Sequence, residues 1–213
     1  MEELEKDYLI SYYDGRVRLL GETPGALGWS PKGQKARYEA ALELFGLKNE
    51  RPGGAWLADY GCGMGDFYGF LLEKGFLVSG ARYCGFDINP GLIEIARRRY
   101  PAVSFDPLDI DESPLPRDFD FSLICGVFNQ RIEGALSAAK RCIERIWAQT
   151  RKALYFDALS GDSGVGDIAL QYWDPRELFD FALAMPGSRA SVFEFLGGGT
   201  LVLFLERDEC PGR

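Results

Sequence analysis

The chain has no histidine among its 213 residues. That absence removes the common zinc sites, the Ser-His and Cys-His nucleophile pairs, and the ordinary general base near neutral pH. Five cysteines (Cys62, Cys84, Cys125, Cys142 and Cys210) include no C-x-x-C pair, so they read as free thiols of a reducing cytoplasm. No apolar run reaches membrane-spanning length, and the opening MEELEKDYLI is too acidic and polar for a secretory signal. Blocks of five or six like charges, internal repeats and low-complexity tracts are also missing. Twenty-four Lys and Arg stand against 32 Asp and Glu, a net charge of −8, which repels phosphate backbones. Neither a nucleic acid nor a membrane is expected as a partner. The densest basic stretch, Arg97-Arg98-Arg99, falls on an expected helix as a solvated face.

What remains is the composition of one globular unit, 46% hydrophobic and 26% charged, with no obvious linker. The expectation is a single domain over 1–213, with 1–50 as an N-terminal helical lid or extension and 51–213 as an α/β core. Strand-like and helix-like segments alternate from about residue 55 to 185, the pattern of a doubly wound, mostly parallel sheet. Strands are expected at Trp56–Tyr60, Tyr83–Ile88, near Val103–Asp106, at Phe119–Cys125 and at Ala153–Phe156. Asn89-Pro90 and Asp174-Pro175 each pair a helix cap with a proline at the first helical position. The stretch SVFEFLGGGTLVLFLER reads as a closing hairpin.

The stretch LADYGCGMGDF, residues 57–67, carries the chemistry. A strand runs into glycines at alternate positions and then into a helix, whose first N–H groups point outward without partners. Dinucleotide sites want G-x-G-x-x-G, and the third glycine of that spacing is missing here. Asp59 and Asp66 put carboxylates where a pyrophosphate would sit. The loop suits a ligand with cationic groups and no phosphates.

From about residue 55 onward the chain resembles the class I S-adenosylmethionine-dependent methyltransferases. LADYGCGMGD resembles their first motif, YCGFDINPGLIEIARRR the second, FDPLDI the third and FDFSLICGVF the fourth. The resemblance implies a Rossmann-like, seven-stranded sheet of order 3-2-1-4-5-7-6 with strand 7 antiparallel, and S-adenosyl-L-methionine as cofactor. It further implies that Gly61, Gly63 and Gly65, with Cys62 among them, let the backbone approach the methionine part. Asp59 would orient the loop or receive the ammonium. Asp87 would accept both ribose hydroxyls, and Ile88 would pack on the adenine. Asp109 would accept from the adenine amino group while the Ile110 N–H donates to the ring. Cys125 and Gly126 would line the path beside the sulfonium.

Ahead of the core, Ser30-Pro31 starts a helix on which Gln34 and Arg37 share a face. They are candidates to reach over the pocket, Arg37 clamping the cofactor's carboxylate. Trp29, Asn129, Tyr172 and Trp173 are candidates for the acceptor's walls. The expected function is methyl transfer to a small-molecule acceptor by a cytoplasmic monomer or homodimer, with no catalytic base nominated and no metal. The alternatives are a methyltransferase-like binding protein without catalysis and an NAD-dependent oxidoreductase.

Overall fold

The computed structural model describes residues 2–47, 54–76, 82–161 and 166–208. Cys210 lies outside them. Helix α1 (Glu3–Leu20), a 3-10 turn η1 (Pro24–Leu27) and helix α2 (Pro31–Leu44) precede the sheet. Then come β1 (Trp56–Tyr60), α3 (Asp66–Glu73), β2 (Arg82–Asp87), α4 (Pro90–Arg99) and β3 (Ser104–Pro107). β4 (Phe119–Ile124), α5 (Ala135–Ala148), β5 (Thr150–Ser160), β6 (Tyr172–Trp173) and α6 (Pro175–Leu183) follow, and the hairpin of β7 (Ser188–Phe195) and β8 (Thr200–Arg207) closes the fold.

The helices start where the caps stand. Ser30 Oγ accepts from Gly33 N, Asn89 Oδ1 from Leu92 N, and Asp174 Oδ1 from Arg176 N and Glu177 N, each ahead of a proline that has no donor to lose. The strand order is β3-β2-β1-β4-β5-β8-β7, parallel as far as β5, with β8 antiparallel to both its neighbours. The expected order is therefore present, with one correction to the count: Tyr172–Trp173 forms an eighth, two-residue strand beside the end of β5. β5 is also longer than its apolar centre suggests, and Asp157 falls inside it.

Two apolar layers sandwich the sheet. Tyr38 and Leu42 of α2, with Phe45 just after it, pack with α3 on one face, and Ile143, Ile146 and Trp147 of α5 pack with α6 on the other. Leu178 and Ala182 of α6 are buried in the second layer. With helices on both faces the parallel strands are buried on both sides, which is why they are so apolar. α1 differs. Lys6 is its one buried residue, and Leu4, Tyr8 and Leu19 are exposed, so polar contacts help to seat it. No helix among the described residues is long and apolar enough to cross a membrane.

Candidate functional site

The C-terminal ends of β1, β2 and β4 open into a cavity of about 120 Å³, the position at which an open α/β sheet binds ligands. Gly61 and Gly63 form one wall. Both have positive φ, and a Cβ on Gly61 would come within 2.3 Å of Val127 Cγ2, so this turn accepts no larger residue without rearrangement. Asp87 ends β2 and lines the same cavity. Its two oxygens accept the Gly63 and Asn89 N–H groups, both at 2.9 Å. A carboxylate offers about four lone-pair sites, so two remain for a ligand diol. Burial pushes Asp87 above the ordinary carboxylate range, against the pull of those two N–H donors.

Apolar side chains close the middle of the cavity: Ile88, Leu92, Leu108 and Ile110, the setting a flat ring needs on both faces. Asp109 lines it too, but it is not free. Its Oδ1 accepts from Asp111 N at 2.9 Å, and its Oδ2 lies 2.7 Å from Lys6 Nζ. Lys6 also donates to Glu112 at 2.5 Å. Burial opposes the Lys6 charge, and the bonds from Asp109 and Glu112 overcome it, holding the ammonium above its ordinary range.

α1 and η1 form the roof. Leu9, Ile10, Tyr13, Leu27 and Trp29 line the cavity from above, and Asn89 Nδ2 ties α1 down by donating to Ile10 O and Asp14 Oδ1. Arg16 of α1 donates to the carbonyls of Ala26 and Gly25, which ties the helix to the 3-10 turn. Burial, and then the Asp87 charge, push the Tyr13 hydroxyl up to about 12. The α1 residues lay outside the sequence motifs. Their available signal was the Leu9, Ile10, Tyr13 spacing ahead of Gly21.

Cys125 and Gly126 line the far end. Behind them stands Asp157, one acid in the apolar run ALYFDAL, which the motifs do not mark although a carboxylate inside a central strand is itself a signal. It accepts from Gly126 N at 2.8 Å and from the Cys125 thiol at 3.0 Å. Burial, and then the Asp157 charge, push that thiol well above its ordinary range, so Cys125 is a neutral wall.

Several candidates stand elsewhere. Asp59 does not line the cavity; it is buried and accepts from the Tyr83 hydroxyl at 2.6 Å, because its strand position points it into the layer below. Cys62 is turned into that same layer. Gly65 caps α3, where a Cβ would meet Phe105 and Tyr100; its small size serves packing. Gln34 donates to Asp66, which also pairs with Arg99. Arg37, rather than reaching over the cavity, is buried beside Asp157 and donates to Thr200 Oγ1. Trp173 is fully buried edge-on to Phe156, and the Tyr172 hydroxyl accepts from Asp167 N. Asn129 accepts from Gln171 N through its backbone and does not line the cavity. Among the described residues no cluster of Cys, Asp and Glu suits a metal ion.

Residues 57–146 match the family described as methyltransferase domain. That match covers less than half of the chain and includes the glycine turn, Asp87 and β4. Over 73 residues it is 36% identical to the malonyl-[acyl-carrier protein] O-methyltransferase of Serratia marcescens, a match covering 34% of this chain. The chain spans about a quarter (26%) of that relative's length. Among solved structures, it is similar to magnesium protoporphyrin IX methyltransferase (ChlM) from Synechocystis PCC 6803 with bound SAH. That likeness has a TM-score of 0.67 at 15% identity and covers 96% of this chain and 99% of that one. The DhpI-SAM-HEP complex follows with a TM-score of 0.66 at 17% identity, covering 97% and 99%.

Proposed function

We propose that the chain transfers the methyl group of S-adenosylmethionine to a small-molecule acceptor, within one domain whose first fifty residues act as a lid. The observation that carries this is the Asp87 carboxylate, which lines the cavity at the end of β2 while bracing the Gly63 N–H of the glycine turn. The residues fit the cofactor: a turn too tight for any Cβ, two spare acceptor sites on Asp87, and apolar walls from Ile88 and Ile110. When bound, the cofactor would supply an electrophilic methyl group on a sulfonium.

The protein's own part is alignment and exclusion of water. Asp87 would hold the ribose, Gly61 and Gly63 would admit the methionine part, and Cys125 and Gly126 would flank the transfer path. A cavity of about 120 Å³ falls short of the roughly 300 Å³ that pockets for ligands of this size begin at, so the α1 roof would lift as the cofactor enters. Asp109 would then divide its oxygens between Lys6 and the adenine amino group. A pyrophosphate is disfavoured, because the Asp66 carboxylate stands in the first turn of α3.

Calorimetric titration of S-adenosylmethionine, S-adenosylhomocysteine and NAD into wild type and Asp87→Ala tests this. Binding of both adenosyl ligands, lost in the variant and absent for NAD, is the expected result. No adenosyl binding by wild type would overturn the proposal.

A further inference from the structure

Beneath the wall that Trp29, Cys125 and Gly126 present to the cavity lies a second group of polar side chains, drawn from three elements: Arg37 of α2, Asp157 of β5 and Thr200 of β8. Asp157 is satisfied without the arginine. It takes the Gly126 N–H at 2.8 Å, the Cys125 thiol at 3.0 Å and the Tyr155 hydroxyl at 3.4 Å. The Arg37 Nε stands 3.5 Å from that carboxylate, long for a hydrogen bond, and among the described residues this buried nitrogen has no hydrogen-bond partner. A guanidinium carries five donors. Among the described residues the one hydrogen bond they make goes to Thr200 Oγ1 at 2.5 Å, although the side chain is only 10% exposed.

Burying a charge with most of its donors unused costs free energy, and proteins seldom bear that cost without a use for the group. The position suggests the use. Arg37 stacks on the Trp29 ring, its guanidinium carbon 4.9 Å from the ring centre, and the six-membered ring of the indole lies against Gly126. A Cβ on Gly126 would lie 2.2 Å from Trp29 Cζ2. The indole thus touches both the guanidinium and the end of β4, beside the proposed path of methyl transfer. It lies in the short connection between η1 and α2, next to Gly28, which has a positive φ. Trp29 lines the cavity, whereas Arg37, stacked on it, does not.

We propose that Arg37 is the recognition residue for the acceptor, which carries a carboxylate, and that Trp29 is the movable wall exposing it. A planar guanidinium takes a carboxylate in a bidentate pair, and a flat acceptor finds the indole as its second face. The carboxylate serves as the handle, leaving the atom that receives the methyl group elsewhere on the acceptor. In a chain of net charge −8, a buried guanidinium gives local preference for an anion against the overall field. The inference rests on the methyltransferase reading.

Protein saturated with S-adenosylhomocysteine is titrated calorimetrically with benzoate and, separately, with its neutral isostere benzamide. Benzoate is expected to bind about ten- to hundredfold tighter than benzamide, the worth of a charged hydrogen-bonded pair. Arg37→Gln is expected to erase that preference while S-adenosylhomocysteine still binds, and Arg37→Lys to keep part of it. Should Arg37→Gln fail to fold, the wild-type comparison and the lysine variant decide. Equal binding of the two probes, or none, would overturn the inference while leaving the cofactor reading intact. Loss of S-adenosylhomocysteine affinity in folded Arg37→Gln or Arg37→Lys would overturn it as well, moving Arg37 to the cofactor's carboxylate. Failure of wild type to bind S-adenosylhomocysteine would instead strike the methyltransferase reading itself, and this inference would fall with it.

Discussion

Asp87 accepts the Gly63 N–H at 2.9 Å, so the carboxylate that ends one strand also holds the turn that ends its neighbour. Asp87→Asn replaces one accepting oxygen with an amide NH₂, which then faces either the Gly63 or the Asn89 N–H, donor against donor. The variant is expected to lose about 1–3 kcal/mol of stability before any ligand is added. Urea unfolding of the ligand-free protein measures it, and wild-type stability in the variant would show that the brace is unimportant.

Lys6 ties α1 to Asp109 and Glu112. Reversing its charge in Lys6→Glu sets three carboxylates against one another and should detach the roof while sparing the sheet. Amide exchange over residues 3–20 is expected to accelerate by about tenfold or more, with β1, β4 and β5 unchanged. Uniform acceleration through the sheet would mean that α1 belongs to the global folding unit.

Burial, reinforced by the Asp87 and Asp66 charges and opposed by the Tyr83 hydrogen bond, pushes Asp59 up from 3.8 to about 7. Between those two values the folded chain keeps a proton that the unfolded chain has released. The stability associated with this proton is complete below about pH 4 and is lost as pH rises through 7. Asp59→Asn is expected to remove its share of the slope, at most about 1.4 kcal/mol per pH unit for one proton. Denaturation midpoints of both proteins across pH 4 to 8 provide the check; parallel curves would place the proton elsewhere.

Asp157→Ala leaves the buried Arg37 charge without its carboxylate and the Gly126 N–H without its acceptor. The expected loss is about 3–5 kcal/mol, the range for breaking a buried ion pair by removing one partner. Asp157→Asn keeps an acceptor for the N–H and should lose less. Thermal and urea unfolding compare the two; equal losses would mean that the acceptor for the Gly126 N–H contributes nothing and that the lost charge accounts for the whole effect.

Local chemistry with one strong solution was legible in the sequence. Asn89-Pro90 and Asp174-Pro175 start helices wherever they occur, and three glycines between apolar strands close a hairpin. The glycine turn and Asp87 were equally plain, since strand, turn and helix follow within a few residues. Side-chain direction was less so. Asp59 stands two residues before the first glycine, yet the alternation along β1 turns it into the core, toward Tyr83. The strand at Trp173 carries no sequence signal because it is two residues long and pairs only with β5. Lys6 and Asp157 acquire their roles from partners far along the chain, which no local pattern names.

The bond between Lys6 and Glu112 spans 106 residues, and it sets an order of events during synthesis. α1 leaves the ribosome before the sheet, but an isolated helix gains most of its stability from tertiary packing. Its docking partners arrive only with Asn89, Asp109 and Glu112, after β1 to β3 have been made. The helix is therefore made before this half of the sheet and seated after it, and the nascent cavity stays uncovered while its glycine turn and Asp87 are already in place.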